Sequence, residues 1–197
     1  MRGVMFGTAL AAFALACGGA AASSSMQTGG LTSQPIGHFE FCKVMTPECR
    51  IKSIGVPPLI GGQRTMALIE SVNVQVNHAI QPQTDLDIYG KDEVWAYPKG
   101  TGDCEDYVLL KRKILINRGI SPANLLITVV RKQDGEGHAV LTVRTRKGDF
   151  ILDNLEDEML PWEATGYKYL KRQSSEHTGH WVTIELPKDI LVGSVSR

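Results

Sequence analysis

The clearest helical signal in the chain is GDCEDYVLLKRKILINRG, which occupies residues 102–119. Asp103 is a candidate N-cap, and Asp106 follows it in a pattern close to a capping box. Apolar side chains then recur at helical spacing, and Gly119 suits the position just beyond a helix end. This stretch predicts a helix that carries Cys104 in its first turn.

Hydrophobicity alternates with a period of two residues after this helix. Residues 125–130, 138–145 and 149–152 are rich in apolar and β-branched side chains and are separated by turns that contain glycine, so they predict antiparallel strands. A last alternating segment at 181–186 predicts a further strand, whereas helical spacing at 63–80 predicts an earlier helix. Helices followed by antiparallel strands are typical of an α+β domain.

The composition describes a globular chain with no charge excess. The 197 residues include 21 basic and 21 acidic side chains, and 43% are hydrophobic, which excludes a disordered tail, a collagen-like repeat and a coiled coil. The net charge of zero leaves no excess of cations for phosphate contacts, so we expect no nucleic-acid partner. The length is that of one domain.

The N-terminal segment has the pattern of a secretory signal. Residues 1–22 contain one basic side chain, an apolar run and a closing set of alanines, which form a small-residue site typical of signal cleavage. An uncleaved anchor and a lipid anchor at Cys17 are the alternatives. Export predicts a periplasmic or secreted protein with a flexible leader at 23–37 and one folded domain at 38–197.

Three cysteines remain after removal of the signal, namely Cys42, Cys49 and Cys104. An odd count in an oxidising compartment indicates one disulfide and one free thiol. Cys42 and Cys49 are close enough in sequence to close a small loop, which leaves Cys104 unpaired. An unpaired thiol in an exported protein indicates either chemistry or an inert buried side chain.

Cys104 and two later residues follow the order of a papain-like catalytic site. The dipole and free N–H groups of a helix start stabilise a thiolate and can also hold an oxyanion. His138 begins a predicted strand and Asp153 ends the next one, so they are the candidate base and orienting acid. A simple two-residue turn at 147–148 would instead place Asp157 opposite His138, unless a bulge returns Asp153.

Three carboxylates surround the candidate nucleophile, at Asp103, Glu105 and Asp106. Their charge would raise the pKa of the Cys104 thiol, which opposes its activation. Acids in a first helical turn are explained by capping and by the helix dipole. They would equally provide oxygen ligands for a hard cation, for which calcium is favoured over magnesium in an exported protein. Spacing alone favours capping over a bound cation.

Three motifs carry the strongest family signal in the chain. They are GDCEDY at 102–107, HAVL at 138–141 and LDNL at 152–155, with Trp95 upstream of the first. Together they resemble the bacterial transglutaminase-like cysteine proteinases, a family that includes the LapG-type periplasmic proteases. The resemblance extends over about residues 35–185.

The resemblance implies a papain-like or transglutaminase-like core, in which N-terminal helices pack on an antiparallel sheet. It implies that Cys104 is the nucleophile, His138 the base and Asp153 the orienting acid. The indole N–H of Trp95 is a candidate oxyanion donor beside the N–H groups of the helix start.

The resemblance also implies calcium bound by Asp103, Glu105 and Asp106, which favours metal binding over capping. The expected protein is an exported, monomeric cysteine peptidase with a protein substrate. LapG-type members cut a cell-surface adhesin and are sequestered by an inner-membrane receptor, so these are the implied substrate class and partner. Two alternatives use the same residues: acyl transfer to an amine by a transglutaminase, or calcium-dependent binding without catalysis.

Overall fold

A computed structural model of the chain describes residues 24–185. The predicted secretion signal at 1–22, with the lipidation alternative at Cys17, therefore lies outside the described residues. Within the described part, every helix lacks the length and apolar character that a membrane crossing requires.

The described chain is built around a seven-stranded sheet. The strands of the described residues are β1 (Gln27–Thr32), β2 (Gln81–Pro82), β3 (Thr101–Gly102), β4 (Leu125–Arg131), β5 (Gly137–Thr145), β6 (Gly148–Leu152), β7 (Leu160–Pro161), β8 (Lys168–Gln173) and β9 (Trp181–Glu185). The large sheet has the order β1-β9-β8-β4-β5-β6-β7, and all its neighbouring strands are antiparallel. β2 and β3 form a separate short parallel pair.

Four α-helices occur in the described residues. They are α1 (Ile36–Val44), α2 (Gln63–Ala79), α3 (Asp85–Tyr89) and α4 (Cys104–Asn117). Short 3-10 helices lie at Thr46–Cys49, Pro122–Asn124 and Trp162–Ala164. Helices that pack on an antiparallel sheet confirm the predicted α+β class, and α2 and α4 begin and end close to the predicted bounds.

The main core lies between the sheet and the helix pair α2 and α4. On β5, Leu141 and Val143 belong to the apolar cluster that contains these helices, whereas Val140 packs in a second cluster with Ile151 and Trp162. This division follows from the alternation of side chains along a strand. Because α4 packs against β5, the first turn of the helix is held close to the start of that strand.

The structure contradicts the flexible leader predicted at 23–37. β1 pairs with β9, with Gln27 opposite Glu185 and Thr32 opposite Trp181, and α1 also begins before the predicted domain boundary. The two adjacent glycines in this segment, Gly29 and Gly30, weaken its own preference for a strand. The edge of β9 provides backbone partners for this segment, and Met26 is buried beside it. Long-range pairing therefore orders a segment that its composition left without structure.

The turn between β5 and β6 lies one residue earlier than the simple turn considered from the sequence. Thr145 pairs with Gly148, so the two turn residues are Arg146 and Lys147. Gly148 has a φ of 112°, a conformation that glycine adopts without the steric cost of a side chain. In this register Asp153 is the first residue after β6.

A disulfide between Cys42 and Cys49 joins α1 to the 3-10 helix that follows it, with an S–S distance of 2.06 Å. His38 is buried beside both sulfurs. Burial and the charge of Arg112 lower the pKa of His38 to about 4, so this imidazole is neutral at physiological pH. The disulfide and the neutral imidazole fix α1 against the rest of the domain.

Candidate active site

Cys104 is the first residue of α4, and the elements around it hold the helix start in place. The backbone of Gln83 donates to the carbonyl of Gly102 over 3.0 Å, which fixes the chain just before the helix. The hydroxyl of Tyr107 donates to the carbonyl of Ile80 over 2.7 Å and ties the first helical turn to the end of α2. The Cys104 thiol is free and half-buried.

The sulfur of Cys104 donates a hydrogen bond to Glu105 Oε2 over 2.9 Å. Burial raises the pKa of the Cys104 thiol, and the charge and hydrogen bond of Glu105 raise it further, whereas the backbone of Ala139 acts in the opposite direction. In this arrangement the thiol carries its proton. Activation therefore needs both a base and a change in the field of the nearby carboxylates.

The imidazole of His138 is held in place by the carboxylate of Asp153. Its Nε2 lies 2.8 Å from Asp153 Oδ1, and both side chains are buried. The second carboxylate oxygen of Asp153 accepts from the hydroxyl of Tyr167 over 2.7 Å. Burial alone would raise the pKa of Asp153, but the hydrogen bond and charge of His138 together with Tyr167 lower it. Because an ionised carboxylate only accepts, Nε2 carries the hydrogen and Nδ1 is the nitrogen left to accept a proton.

The loop that carries Asp153 is anchored to α2 by two amides. Asn77 Nδ2 donates to the Asp153 carbonyl over 3.0 Å, and Asn73 Nδ2 donates to the Glu156 carbonyl over 2.7 Å. The side chain of Asp157 instead accepts from Asn77 at the surface. The imidazole of His138 is therefore paired with Asp153. The strand register predicted from the sequence had left both Asp153 and Asp157 as possible partners.

Cys104 and His138 line the same two neighbouring cavities. One cavity has a volume of about 380 Å³ and also contacts Gly102, Lys132 and Leu155. The other has a volume of about 370 Å³. The sulfur of Cys104 and the imidazole of His138 thus border two cavities. These cavities could receive the parts of a substrate that precede and follow the attacked peptide bond.

Three aspartates form what we call the acid cluster, namely Asp85, Asp103 and Asp106. Their carboxylate oxygens lie within 4.8 Å of one another. Each residue keeps one buried oxygen without a hydrogen-bond partner among residues 24–185. Burial raises the pKa of Asp103 to about 8 and that of Asp106 to about 7, with neighbouring acids adding to both effects, and burial also raises the pKa of Asp85. Such a set of oxygens suits a hard cation.

The acid cluster differs in one member from the calcium ligands that the resemblance implied. Asp85 lies in α3, between α2 and α4, and no sequence signal connected it with the helix start. Glu105 places its carboxylate on the sulfur of Cys104. Sequence analysis also missed Tyr167, which the chain order gave no reason to place beside Asp153.

The acid cluster also fixes Trp95. The backbone N–H of Val94 donates to Asp85 Oδ2 over 2.5 Å, and that of Ala96 donates to Asp106 Oδ1 over 2.8 Å. Trp95 is buried between them, and it lines the 370 Å³ cavity together with Cys104. Its indole N–H has no hydrogen-bond partner among the residues that the structure describes.

These groups provide the parts that nucleophilic acyl chemistry requires. A thiol lies at a helix start, where the first backbone N–H groups lack partners within the helix, and an imidazole that lines the same cavity is oriented by a carboxylate. The unpartnered indole N–H of Trp95 is buried and lies beside Gly37. The arrangement can therefore support attack of sulfur on a carbonyl carbon.

Comparison with known proteins finds relatives among bacterial proteases. Residues 28–189 match the family described as bacterial transglutaminase-like cysteine proteinase BTLCP. A solved structure of LapG from Legionella pneumophila is 28% identical, with a TM-score of 0.52 over 64% of this chain and 74% of its own. Its calcium-bound form gives 28% identity and a TM-score of 0.51 over 59% and 67%, and its EGTA-treated form gives 28% and 0.51 over 64% and 74%. No curated protein matches the chain.

Proposed function

The chain belongs to the bacterial transglutaminase-like cysteine proteinases and is a cysteine peptidase, and from this premise we propose that Cys104, His138 and Asp153 cleave a protein substrate. Membership in the family and the match to LapG also confirm the predicted transglutaminase-like core. The observation that supports these three residues best is the buried 2.8 Å contact of His138 with Asp153, next to cavities that His138 shares with Cys104.

The proposed reaction begins with a proton transfer. Rotation of the Cys104 side chain moves its proton from Glu105 towards the free Nδ1 of His138, and Asp153 stabilises the imidazolium that forms. The thiolate attacks the carbonyl carbon of a peptide bond and forms a thioester as the amine leaves with the proton from His138. Water then attacks the carbonyl carbon of the thioester. The C–S bond breaks, the carboxylic acid product leaves and the thiol of Cys104 is regenerated.

The oxyanion formed during attack needs hydrogen-bond donors that are already in place. The N–H groups at the start of α4 are such donors, because the first N–H groups of a helix lack partners within it. The indole N–H of Trp95 would assist from the cavity wall. Its lack of another partner supports this role.

We place calcium at the acid cluster. The fit rests on the three buried oxygens without partners at Asp85, Asp103 and Asp106, and LapG of Legionella pneumophila has a calcium-bound form. Glu105 is also proposed as a calcium ligand, because the family resemblance implies it. A bound cation would neutralise carboxylates whose charge raises the pKa of Cys104, and it would hold the helix start to the segment around Trp95.

The biological setting of the proposal follows the family. LapG-type proteases act in the periplasm, so we place this enzyme in the periplasm or outside the cell, as a monomer. A cell-surface adhesin is the substrate class, and an inner-membrane receptor that sequesters the enzyme is the partner. Hydrolysis is preferred over acyl transfer to an amine, because the family is one of proteinases.

Labelling of the thiol with iodoacetamide near neutral pH tests the proposed site. We expect selective modification of Cys104 that is slowed strongly in His138→Ala. His78→Ala is the matched control, since His78 is exposed and contacts only the surface acid Asp157 among the described residues. Equal and slow labelling in wild type and His138→Ala would indicate a binding module rather than an enzyme.

Mapping of new N-termini among exported and surface proteins would identify the substrate. Cells that carry the wild-type gene are compared with cells that carry Cys104→Ala. Cleavages that occur only with the thiol would identify the substrate directly. An identical set of N-termini in both cells would contradict the assignment of Cys104 as the nucleophile.

A further inference from the structure

A third cavity, which is largely apolar, lies beside the candidate active site. It has a volume of about 540 Å³ and runs between α1 and the segment 91–97. We call it the α1 groove. Its walls include Ile36, Phe41, Val44, Glu93, Trp95 and Tyr97. This volume falls in the range of about 300 to 1,000 Å³ that is typical of binding sites.

The α1 groove adjoins the cavity that is lined by Cys104. Glu93 and Trp95 line both spaces. Pro35 lines the nucleophile cavity and is followed in the chain by Ile36, which lines the groove. The two cavities are therefore adjacent, and Glu93 and Trp95 form the wall that they have in common.

One wall of the groove is held in a fixed position. The acid cluster holds the backbone on both sides of Trp95. Gly37 is packed so closely on the indole that a Cβ atom at this position would collide with it. Glu93 has a φ of 59°, and it is the one non-glycine residue with positive φ in the described part of the chain. A strained residue at the junction of two cavities is typical of a binding site.

The opposite wall presents apolar side chains to solvent. Val44 is 81% exposed and Ile36 is 62% exposed, so both would lose contact with water if an apolar group filled the groove. Glu40 also lines the groove, but it is paired with Lys43 over 2.7 Å. Lys91, Asp92 and Glu93 also line the groove, but most of its surface is apolar, so we expect apolar contact to dominate selection.

We propose that the α1 groove is a substrate subsite that binds a bulky apolar side chain located a few residues from the scissile bond. The occupant is the polypeptide substrate, in an extended conformation that passes Trp95. This inference rests on the proposed function, and it specifies the substrate class as flexible segments with an apolar anchor on one side of the cleaved bond.

A peptide library derived from exported proteins provides the probe. We expect wild-type cleavage sites to be enriched in bulky apolar residues at one fixed position on one side of the cut. Val44→Asp and Ile36→Asp should each weaken that enrichment and lower the cleavage rate of enriched peptides roughly tenfold. Alkylation of Cys104 by iodoacetamide reports separately on the thiol.

Ile54→Asp and Leu31→Asp are the matched controls, because both side chains are similarly exposed, at 78% and 73%, and neither lines the groove. They should leave enrichment and rate unchanged. An unchanged preference in Val44→Asp and Ile36→Asp, with cleavage intact, would overturn the subsite. If these variants instead changed only the oligomeric state, the groove would be an interface between copies and the inference would be wrong. Absence of cleavage by the wild type with labelling independent of His138 would refute the proposed function itself.

Discussion

Asp153 and the acid cluster are two acidic regions of the candidate active site, and they differ in how their charges are balanced. Asp153 has a partner for each carboxylate oxygen, from His138 and from Tyr167, and its pKa is lowered. The acid cluster keeps three buried oxygens without partners in the described chain, and its pKa values are raised. The Asp153 side is complete within the described chain, whereas the acid cluster has unpaired oxygens that the proposed cation would bind.

The side that the chain completes by itself should be the more sensitive to a single substitution. Asp153→Asn keeps the size of the side chain but favours the wrong tautomer of His138, so we expect kcat/KM to fall about 10³- to 10⁴-fold. Peptide cleavage assays measure the loss. Asp157→Asn, on the same loop but exposed, should retain activity within about twofold. Equal losses in the two variants would show that Asp153 has no special role.

Removal of calcium should affect the acid cluster. We expect saturating calcium to stabilise the protein by about 3 kcal/mol at a hundredfold excess over Kd, which corresponds to a rise in Tm of roughly 5 to 10 °C. A chelator should reverse this rise and suppress cleavage. Thermal unfolding with and without calcium measures the effect.

Asp85→Asn tests whether the acid cluster is the binding site. This variant should lose most of the calcium-dependent shift in Tm, because it removes one charged ligand. Asp134→Asn, in a surface turn, should keep the full shift. If calcium still raised the Tm of Asp85→Asn by the full amount, Asp85 would not be a calcium ligand.

The buried side chain of Lys111 interacts with the charge of Asp153 and should make the stability of the protein depend on pH. Burial lowers the pKa of Lys111 to about 7, against the opposing effect of Asp153 and Asp157, and its Nζ has no hydrogen-bond partner within residues 24–185. The unfolded chain binds the proton more tightly, so stability should increase as pH rises from about 7 to 10.

Lys111→Met should abolish this pH dependence and raise stability at neutral pH by roughly 1 to 4 kcal/mol. Denaturant unfolding at several pH values measures both effects. Lys113→Met is the control, since Lys113 is partly exposed and lies near Glu48. A pH slope that persists in Lys111→Met would mean that another group titrates.

Trp95 lies between the two sides, and its replacement should have the smallest effect on rate. Trp95→Phe keeps an aromatic ring but removes the indole N–H, so we expect kcat to fall about 10²-fold while the backbone donors at the start of α4 remain. Comparison of kcat with the rate of thiol alkylation separates a lost oxyanion donor from a displaced helix. A parallel fall in both rates would contradict the donor role.

The sequence indicated those parts of the site that depend on local pattern. α4 and the strands β4 to β6 have strong periodicity, so the placement of Cys104 at a helix start and of His138 at a strand start could be expected. Asp153 could be named, but its contact with His138 depends on a turn that lies one residue away from the simple alternative.

Features that depend on long-range contacts could not be predicted in this way. β1 is ordered by β9, which lies about 150 residues later in the chain. Asp85 joins Asp103 and Asp106 only because α3 folds against the start of α4. Tyr167 reaches Asp153 from a segment just before β8. Spacing along the chain carries no signal for such encounters.

Asp85 and Asp106 each use one oxygen to hold the backbone beside Trp95 and leave the other for the acid cluster. This double use links the wall of the α1 groove to whatever ion occupies the cluster. Calcium depletion should therefore change which peptides the enzyme accepts as well as how fast it cuts them. The ionic composition of the surroundings would then act as a determinant of selectivity.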